Sequence, residues 1–182
     1  MMRIESVNDF VIRFANVNGS GSASANNLFA KAIFRMGVQV SPKNIFPSNI
    51  QGLPTWYEMR INENGYLGRR GDYDFIVAVN SQTLKTDYDD LSPGGYFLFD
   101  STKPLPDHFN REDVTVIGIP LTKICNQEIS NPKLRQLLKN IIYVGALSHL
   151  LDIEFSVLTD SIKKQFIKRA KFYNGKIRTT VI

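Results

Sequence analysis

Residues 9–37 read DFVIRFANVNGSGSASANNLFAKAIFRMG, and this one stretch decides the fold class. Its first nine residues, Asp9–Val17, are rich in β-branched and aromatic types and run straight into a small polar cluster, as a buried first strand does when it ends. That cluster is Asn18, Gly19, Ser20, Gly21, Ser22, Ala23 and Ser24. Over residues 25–36 the apolar positions Leu28, Phe29, Ala32, Ile33 and Met36 recur at helical spacing, and Gly37 stands where a left-handed C-terminal cap is expected. A strand, a glycine-rich turn and a helix in that order open an α/β fold.

Outward from this unit the same alphabet repeats. Residues 38–40 predict a short second strand closed by Ser41 and Pro42, and residues 56–61 predict another after a polar connection. The apolar runs 75–79 (FIVAV), 95–99 and 114–119 suit strands buried on both faces. Asn131 and Pro132 supply a capping side chain and a first-turn proline for a long helix, whose apolar stripe reads Leu134, Leu137, Leu138, Ile141, Ile142, Gly145 and Leu150. Residues 161–172 predict a weaker amphipathic helix. The expected architecture is a three-layer α/β domain with a mainly parallel sheet and helices on both faces, spanning residues 1–172, with 173–182 as a tail or the start of a linker.

With 182 residues, 43% of them hydrophobic, the chain suffices for one good core. No stretch approaches the roughly 20 apolar residues that span a bilayer, and the N-terminus lacks a signal-like apolar segment, so a cytoplasmic protein without membrane contact is expected. The single cysteine, Cys125, excludes an intrachain disulfide framework, a four-cysteine zinc site and an iron–sulfur cluster ligated by this chain alone. The net charge of +5 arises in the tail: seven bases and no acid follow Asp160, and the preceding part is slightly acidic. That distribution argues against a nucleic-acid partner. His108 lies beside a Pro-Asp turn and His149 inside the long helix, which reads as one surface histidine and one helix-packing histidine rather than members of a nucleophile triad.

Two segments are candidates for a site. The turn Asn18, Gly19, Ser20, Gly21, Ser22, Ser24 sets small residues between a strand and a helix, so backbone N–H groups and the helix dipole can face a phosphate-bearing ligand, and Lys43 would suit a further phosphate. The spacing is G-x-G without the third glycine of a dinucleotide fingerprint, and Ser41-Pro42-Lys43 stands where a ribose-binding acid would be, which disfavours a nicotinamide nucleotide. A tight turn with no ligand is the alternative. The second segment is residues 46–57, FPSNIQGLPTWY, in which Pro47, Ser48, Asn49, Ile50, Gln51, Gly52, Leu53, Pro54 and Trp56 form either an interface or ligand lip, or a rigid loop packing Trp56 beneath the domain.

Read together, VIRFANVNGSGSASANNLFAKAIFRMG (11–37), FPSNIQGLPTWYEMRI (46–61), SPGGYFLFDSTKPLP (92–106), VTVIGIPLTKICN (114–126) and LLKNIIYVGALSHLLDI (137–153) resemble the γ domain that opens the α subunit of 2-oxoacid:acceptor (ferredoxin) oxidoreductases, the group that includes 2-oxoglutarate:ferredoxin oxidoreductases. The resemblance implies a part of an enzyme that oxidatively decarboxylates a 2-oxoacid, with 2-oxoglutarate the foremost candidate, on thiamine diphosphate, passes electrons through iron–sulfur clusters to ferredoxin, and makes an acyl-CoA. It further implies that this domain contributes part of a coenzyme A site and contacts a thiamine-binding α domain and a β subunit. Thiamine diphosphate, magnesium and the clusters would then reside on those partners, the isolated chain would be inactive, and a lone domain would offer its partner face to a second copy. Many relatives read G-x-G-G-Q-G at the turn, whereas residues 19–24 hold no glutamine, so nothing carries over from that residue. A stand-alone nucleotide- or flavin-binding module and a ligand-free docking domain remain the competing readings.

Overall fold

A computed structural model describes residues 8–170. Its elements run β1 (Asp9–Val17), α1 (Ser22–Arg35), β2 (Gln39–Ile45), β3 (Pro54–Asn62), β4 (Tyr73–Ala78), α2 (Leu84–Asp89), β5 (Leu91–Asp100), β6 (Thr115–Ile119), α3 (Leu121–Glu128), α4 (Pro132–Leu150) and α5 (Phe155–Ala170). The six strands form one sheet in the order β2-β3-β1-β4-β5-β6. Strands β1, β4, β5 and β6 are mutually parallel, and the β2–β3 hairpin is added antiparallel to β1. The expected α/β class and mainly parallel sheet stand.

Strand β1 lies in the middle and sends alternate side chains to the two faces. Ile12 and Phe14 enter the larger core, which α1, α3, α4 and α5 close. Phe14 is its centre, with the rings of Phe29, Tyr57 and Tyr143 at centroid distances of 6.2, 6.3 and 5.9 Å. Such aromatic pairs add about 0.5–1.5 kcal/mol each beyond their buried area. Val11 enters a smaller core on the other face with Ile76, Phe97 and Tyr88 of the short helix α2, and Phe109 packs against it. Helices therefore lie on both faces, but unequally.

Several sequence expectations shift. Helix α1 begins at Ser22, three residues earlier than the apolar spacing indicates, because small polar residues form its first turn. Strand β2 does not stop at Ser41-Pro42 but runs on to Ile45; it is an edge strand, where a proline is tolerated because one side of the ladder has no partner strand. In α4 the buried face is Asn140, Tyr143, Val144, Leu147, Ser148 and Leu150, while Leu134 at its start is 42% exposed. Ile141 and Ile142 of the predicted stripe pack against the core and Leu150 is buried in it, but the apolar count left out one asparagine and one serine that belong to the buried face. Helices α2 and α3 have no counterpart in the sequence reading, and α5 starts at Phe155 rather than Ser161. The last two residues of that helical prediction, the 173–182 tail and three of the seven bases after Asp160 lie outside the described residues. Among the described residues no helix is long and apolar enough to cross a membrane.

Candidate functional site

The turn after β1 opens at the C-terminal end of the parallel strands, next to the point where the sheet changes from parallel to antiparallel neighbours, the usual ligand position in open α/β sheets. Gly19 (φ +83°) and Gly21 (φ +78°) adopt left-handed backbone that L side chains rarely take. A Cβ at Gly19 would lie 2.7 Å from Gln51 Cγ, and one at Gly21 would lie 3.1 Å from Leu137 Cδ1. Gly21 is also the N-cap of α1, and no side chain caps that helix start. The positive end of the helix dipole is thus left to whatever occupies the adjoining space.

That space is a groove of about 380 Å³ between the start of α1 and the end of the β2–β3 hairpin. Gly19, Gly21, Ser22, Ala23 and Ser24 form one wall, Asn44, Phe46, Thr55, Trp56 and Tyr57 the other, with Asn16 and Asn18 at the β1 end. None of its lining side chains is a carboxylate, lysine, arginine or histidine. Burial pushes the Tyr57 phenol up to about 12, so it remains protonated. Ser22 and Ser24 line the groove as expected, whereas Ser20 lies beneath the turn, its carbonyl accepting a hydrogen bond from Asn140 Nδ2 at 2.9 Å.

Residues 46–53 are fastened to the turn by Asn18. Its backbone N–H donates to the Leu53 carbonyl (2.8 Å), its carbonyl accepts from Gly52 N–H (3.0 Å), and its side-chain Nδ2 donates to the Ile50 carbonyl (3.2 Å) and, at 3.5 Å, to that of Ser48. The two candidate segments are therefore one structure. Ile50 and Leu53 remain 65% and 38% exposed, and Phe46 49%, giving this loop an outward apolar surface beside the groove. Pro47, Asn49, Gln51 and Gly52 are exposed with them, Ser48 and Pro54 partly so.

Lys43 is placed elsewhere, and Trp56 stands at the boundary. Lys43 pairs in register with Glu58, and its neighbour Asn44 lines the groove, so the strand's alternation turns Lys43 to the opposite face of the sheet. Trp56 lies in β3, as the predicted strand 56–61 implied, and lines the groove between Thr55 and Tyr57, while its indole N–H donates to Asp87 Oδ1 at 2.8 Å. On that second face Arg13 contacts Asp90 (2.6 Å) and Glu58 (3.4 Å) and lies 3.7 Å from the centroid of the Tyr73 ring. Burial raises Glu58, but the Tyr73 hydroxyl and Arg69, each donating at 2.6 Å, outweigh it and hold the carboxyl below its ordinary range. Asp87, wholly buried, is shifted upward by that burial. These groups pair with one another, although Arg13 Nε and Asp87 Oδ2 are buried without a hydrogen-bond partner.

Cys125 is 2% exposed in α3, its thiol pushed up by burial, so it is a packing residue. His108 is exposed and lies against Phe109. His149 is exposed too, not packed between helices as its place in α4 suggested. Among the described residues no three histidine, cysteine or acidic side chains come together as a metal site. Sequence reasoning missed Asn16 and Asn26, buried amides in a strand and on a helix face that otherwise point apolar groups inward. Their polarity at core positions was the available signal.

Fold and groove together define an α/β module that presents an uncapped helix start, a neutral groove and an apolar loop at one end of its sheet. More specifically, the chain belongs to the pyruvate ferredoxin/flavodoxin oxidoreductase family, whose model matches residues 11–178, and it is a γ-type domain within it. It is 32% identical over 94 residues to the 2-oxoglutarate synthase subunit KorC of Methanocaldococcus jannaschii, an alignment covering 52% of this chain and 46% of that one. The 2-oxoglutarate:ferredoxin oxidoreductase from Magnetococcus marinus, solved with 2-oxoglutarate, coenzyme A and succinyl-CoA bound, superimposes with a TM-score of 0.79 at 26% identity, over 90% of this chain and 28% of that chain. The γ subunit of a keto/oxoacid ferredoxin oxidoreductase from Geobacter sulfurreducens shares the fold, with a TM-score of 0.68 at 19% identity over 88% of this chain and 89% of that one. The chain matches less than half the length of the KorC and M. marinus proteins.

Proposed function

We propose that this chain is the γ-type part of a thiamine-diphosphate-dependent 2-oxoacid:ferredoxin oxidoreductase, with 2-oxoglutarate the foremost substrate, and that its groove forms one wall of the coenzyme A site. The observation that carries this is the uncapped start of α1 opening onto a groove with no charged lining. Small residues at 19–24 let a phosphate or amide approach the backbone, and Phe46 and Tyr57 offer ring surface to the rest of the molecule. Coenzyme A supplies the thiol that takes up the acyl group, while Ser22, Ser24 and the helix start hold and orient its body. Lys43, on the other face of the sheet, has no part in this wall. The exposed Ile50 and Leu53 face the thiamine-binding α domain or the β subunit. Thiamine diphosphate, magnesium and the iron–sulfur clusters reside on those partners, which pass electrons to ferredoxin; one buried cysteine does not fit a cluster. Alone, the chain turns nothing over.

The test is Ala23→Phe in the assembled enzyme. Ala23 is exposed on the groove wall, so a large side chain there fills the groove without straining the backbone. Michaelis constants for coenzyme A should rise ~10-fold or more, as expected when binding contacts are lost uniformly. Reduction of the enzyme by the 2-oxoacid before coenzyme A is added should be unchanged. If that half-reaction fails while the coenzyme A dependence stays as in the parent enzyme, the groove serves the thiamine site or subunit assembly instead.

A further inference from the structure

Beneath the groove lies a buried file of three polar side chains. Tyr143, on α4, is fully buried and donates its hydroxyl to Asn26 Oδ1 at 2.8 Å. Asn26, on α1 and also fully buried, donates Nδ2 to Asn16 Oδ1 at 3.1 Å. Asn16, at the end of β1, is 2% exposed and lines the groove, and its Nδ2 has no hydrogen-bond partner within the protein. A buried amide donor left unmatched costs about 1–3 kcal/mol, so such a group calls for an explanation.

The direction of the file is set at its far end. Burial drives the Tyr143 phenol far above its ordinary range, with Asn16 and Asn26 only partly opposing it, so the phenol keeps its proton and must donate it. The acceptor it finds is Asn26 Oδ1. That turns the Asn26 nitrogen toward Asn16 Oδ1, which in turn leaves the Asn16 nitrogen as the free end. An amide nitrogen carries two hydrogens, so even with one directed at the phenol oxygen, the second is left without a partner within the protein.

We infer that Asn16 reads the ligand: its Nδ2 donates a hydrogen bond to an acceptor oxygen of the molecule in the groove, with Tyr143 and Asn26 as positioning residues that keep the donor facing outward. This rests on the coenzyme A reading of the groove. The shared chemistry is an acceptor oxygen, which in coenzyme A belongs either to a phosphoryl group of the nucleotide end or to an amide carbonyl of the pantetheine arm. A donor built from two asparagines and a tyrosine stays neutral throughout the physiological range, so its contribution to binding should not titrate.

The experiment uses the assembled enzyme and three variants. Ala23→Phe tests the groove itself; Asn16→Ala and Tyr143→Phe test the file. Asn16→Ala should raise the Michaelis constant for coenzyme A ~10-fold, the factor expected for one lost hydrogen bond, with the coenzyme-independent half-reaction unchanged. Tyr143→Phe touches no ligand but removes the proton that orients the file; it should raise the same constant ~3-fold and leave kcat alone, a split that a general loss of packing would not give. Adenosine 3′,5′-bisphosphate and pantetheine, used as competitive inhibitors, identify the acceptor: only the fragment that meets Asn16 weakens in Asn16→Ala. If Ala23→Phe weakens coenzyme A binding but Asn16→Ala and both fragments behave as in the parent, this inference falls and the groove reading survives. If Ala23→Phe itself has no effect, the groove reading falls first. Should Asn16→Ala fail to assemble, an unchanged Michaelis constant in Tyr143→Phe overturns the proposal.

Discussion

Replacing Gly21 by alanine perturbs the turn in two separable ways. At φ +78° a Cβ brings left-handed strain of ~1–2 kcal/mol. The same Cβ would lie 3.1 Å from Leu137 Cδ1, closer than ordinary contact, which adds roughly 1 kcal/mol of overpacking unless the leucine moves. Against these, alanine restricts the unfolded chain and returns about 0.4–1 kcal/mol. The net is a loss of about 1–2 kcal/mol, or roughly 2–8 °C in Tm for a chain of this size. Gly37→Ala is the internal control, because Gly37 has φ +90° and nothing within 4 Å of its Cβ position, so it reports the backbone part alone. Leu137→Ala in combination with Gly21→Ala reports the contact part, with a coupling of about 0.5–1 kcal/mol in the relieving sense. Denaturation followed by the fluorescence of the only tryptophan, Trp56, gives all four stabilities. A Gly21→Ala variant no less stable than Gly37→Ala, with no coupling to Leu137, would refute the steric account of the turn.

Two further outcomes follow from the other contacts. Tyr73→Phe removes a donor from Glu58, a carboxyl held below its ordinary value, so the missing stability, roughly 1–3 kcal/mol for a bond to a charged group, should be fully expressed above about pH 5.5. It should shrink as pH falls through the folded-state value, where the parent loses the same contribution; pH-dependent denaturation of both proteins checks it, and a gap that widens in acid contradicts it. Asn18→Ala removes the side-chain bonds to the Ser48 and Ile50 carbonyls but keeps the two backbone bonds, so hydrogen exchange at Gly52 and Leu53 should quicken ~5-fold while the core amides keep their protection.

How much of this was legible follows from particular residues. The bounds of β1 and the inward face of α1 at Leu28, Phe29, Ala32 and Ile33 were readable because apolar spacing and the capping Gly37 agree with the packing that was later found. Strand β2 was cut short because Pro42 is ordinarily a stop, and only the sheet order shows that it sits on an edge. The same error hid the direction of Lys43: once a strand runs through it, pleat parity sends it away from the groove, but parity requires knowing the strand is there. The turn and loop were picked out separately, yet their union through Asn18 is a long-range pairing that no local pattern encodes. Helices α2 and α3, at 6 and 8 residues, are too short to display a period.

The burial of Cys125 has a practical corollary. It is the chain's sole thiol, and in the folded domain α3 keeps it away from solvent and in its sluggish protonated form. A thiol reagent can then react only during the moments when α3 swings open, so the speed of labelling clocks that opening at a single known position. Because α3 carries the chain from the edge strand β6 to the helix that bears Leu137, Asn140 and Tyr143, such a clock would register loosening beneath the groove without any dye or engineered probe.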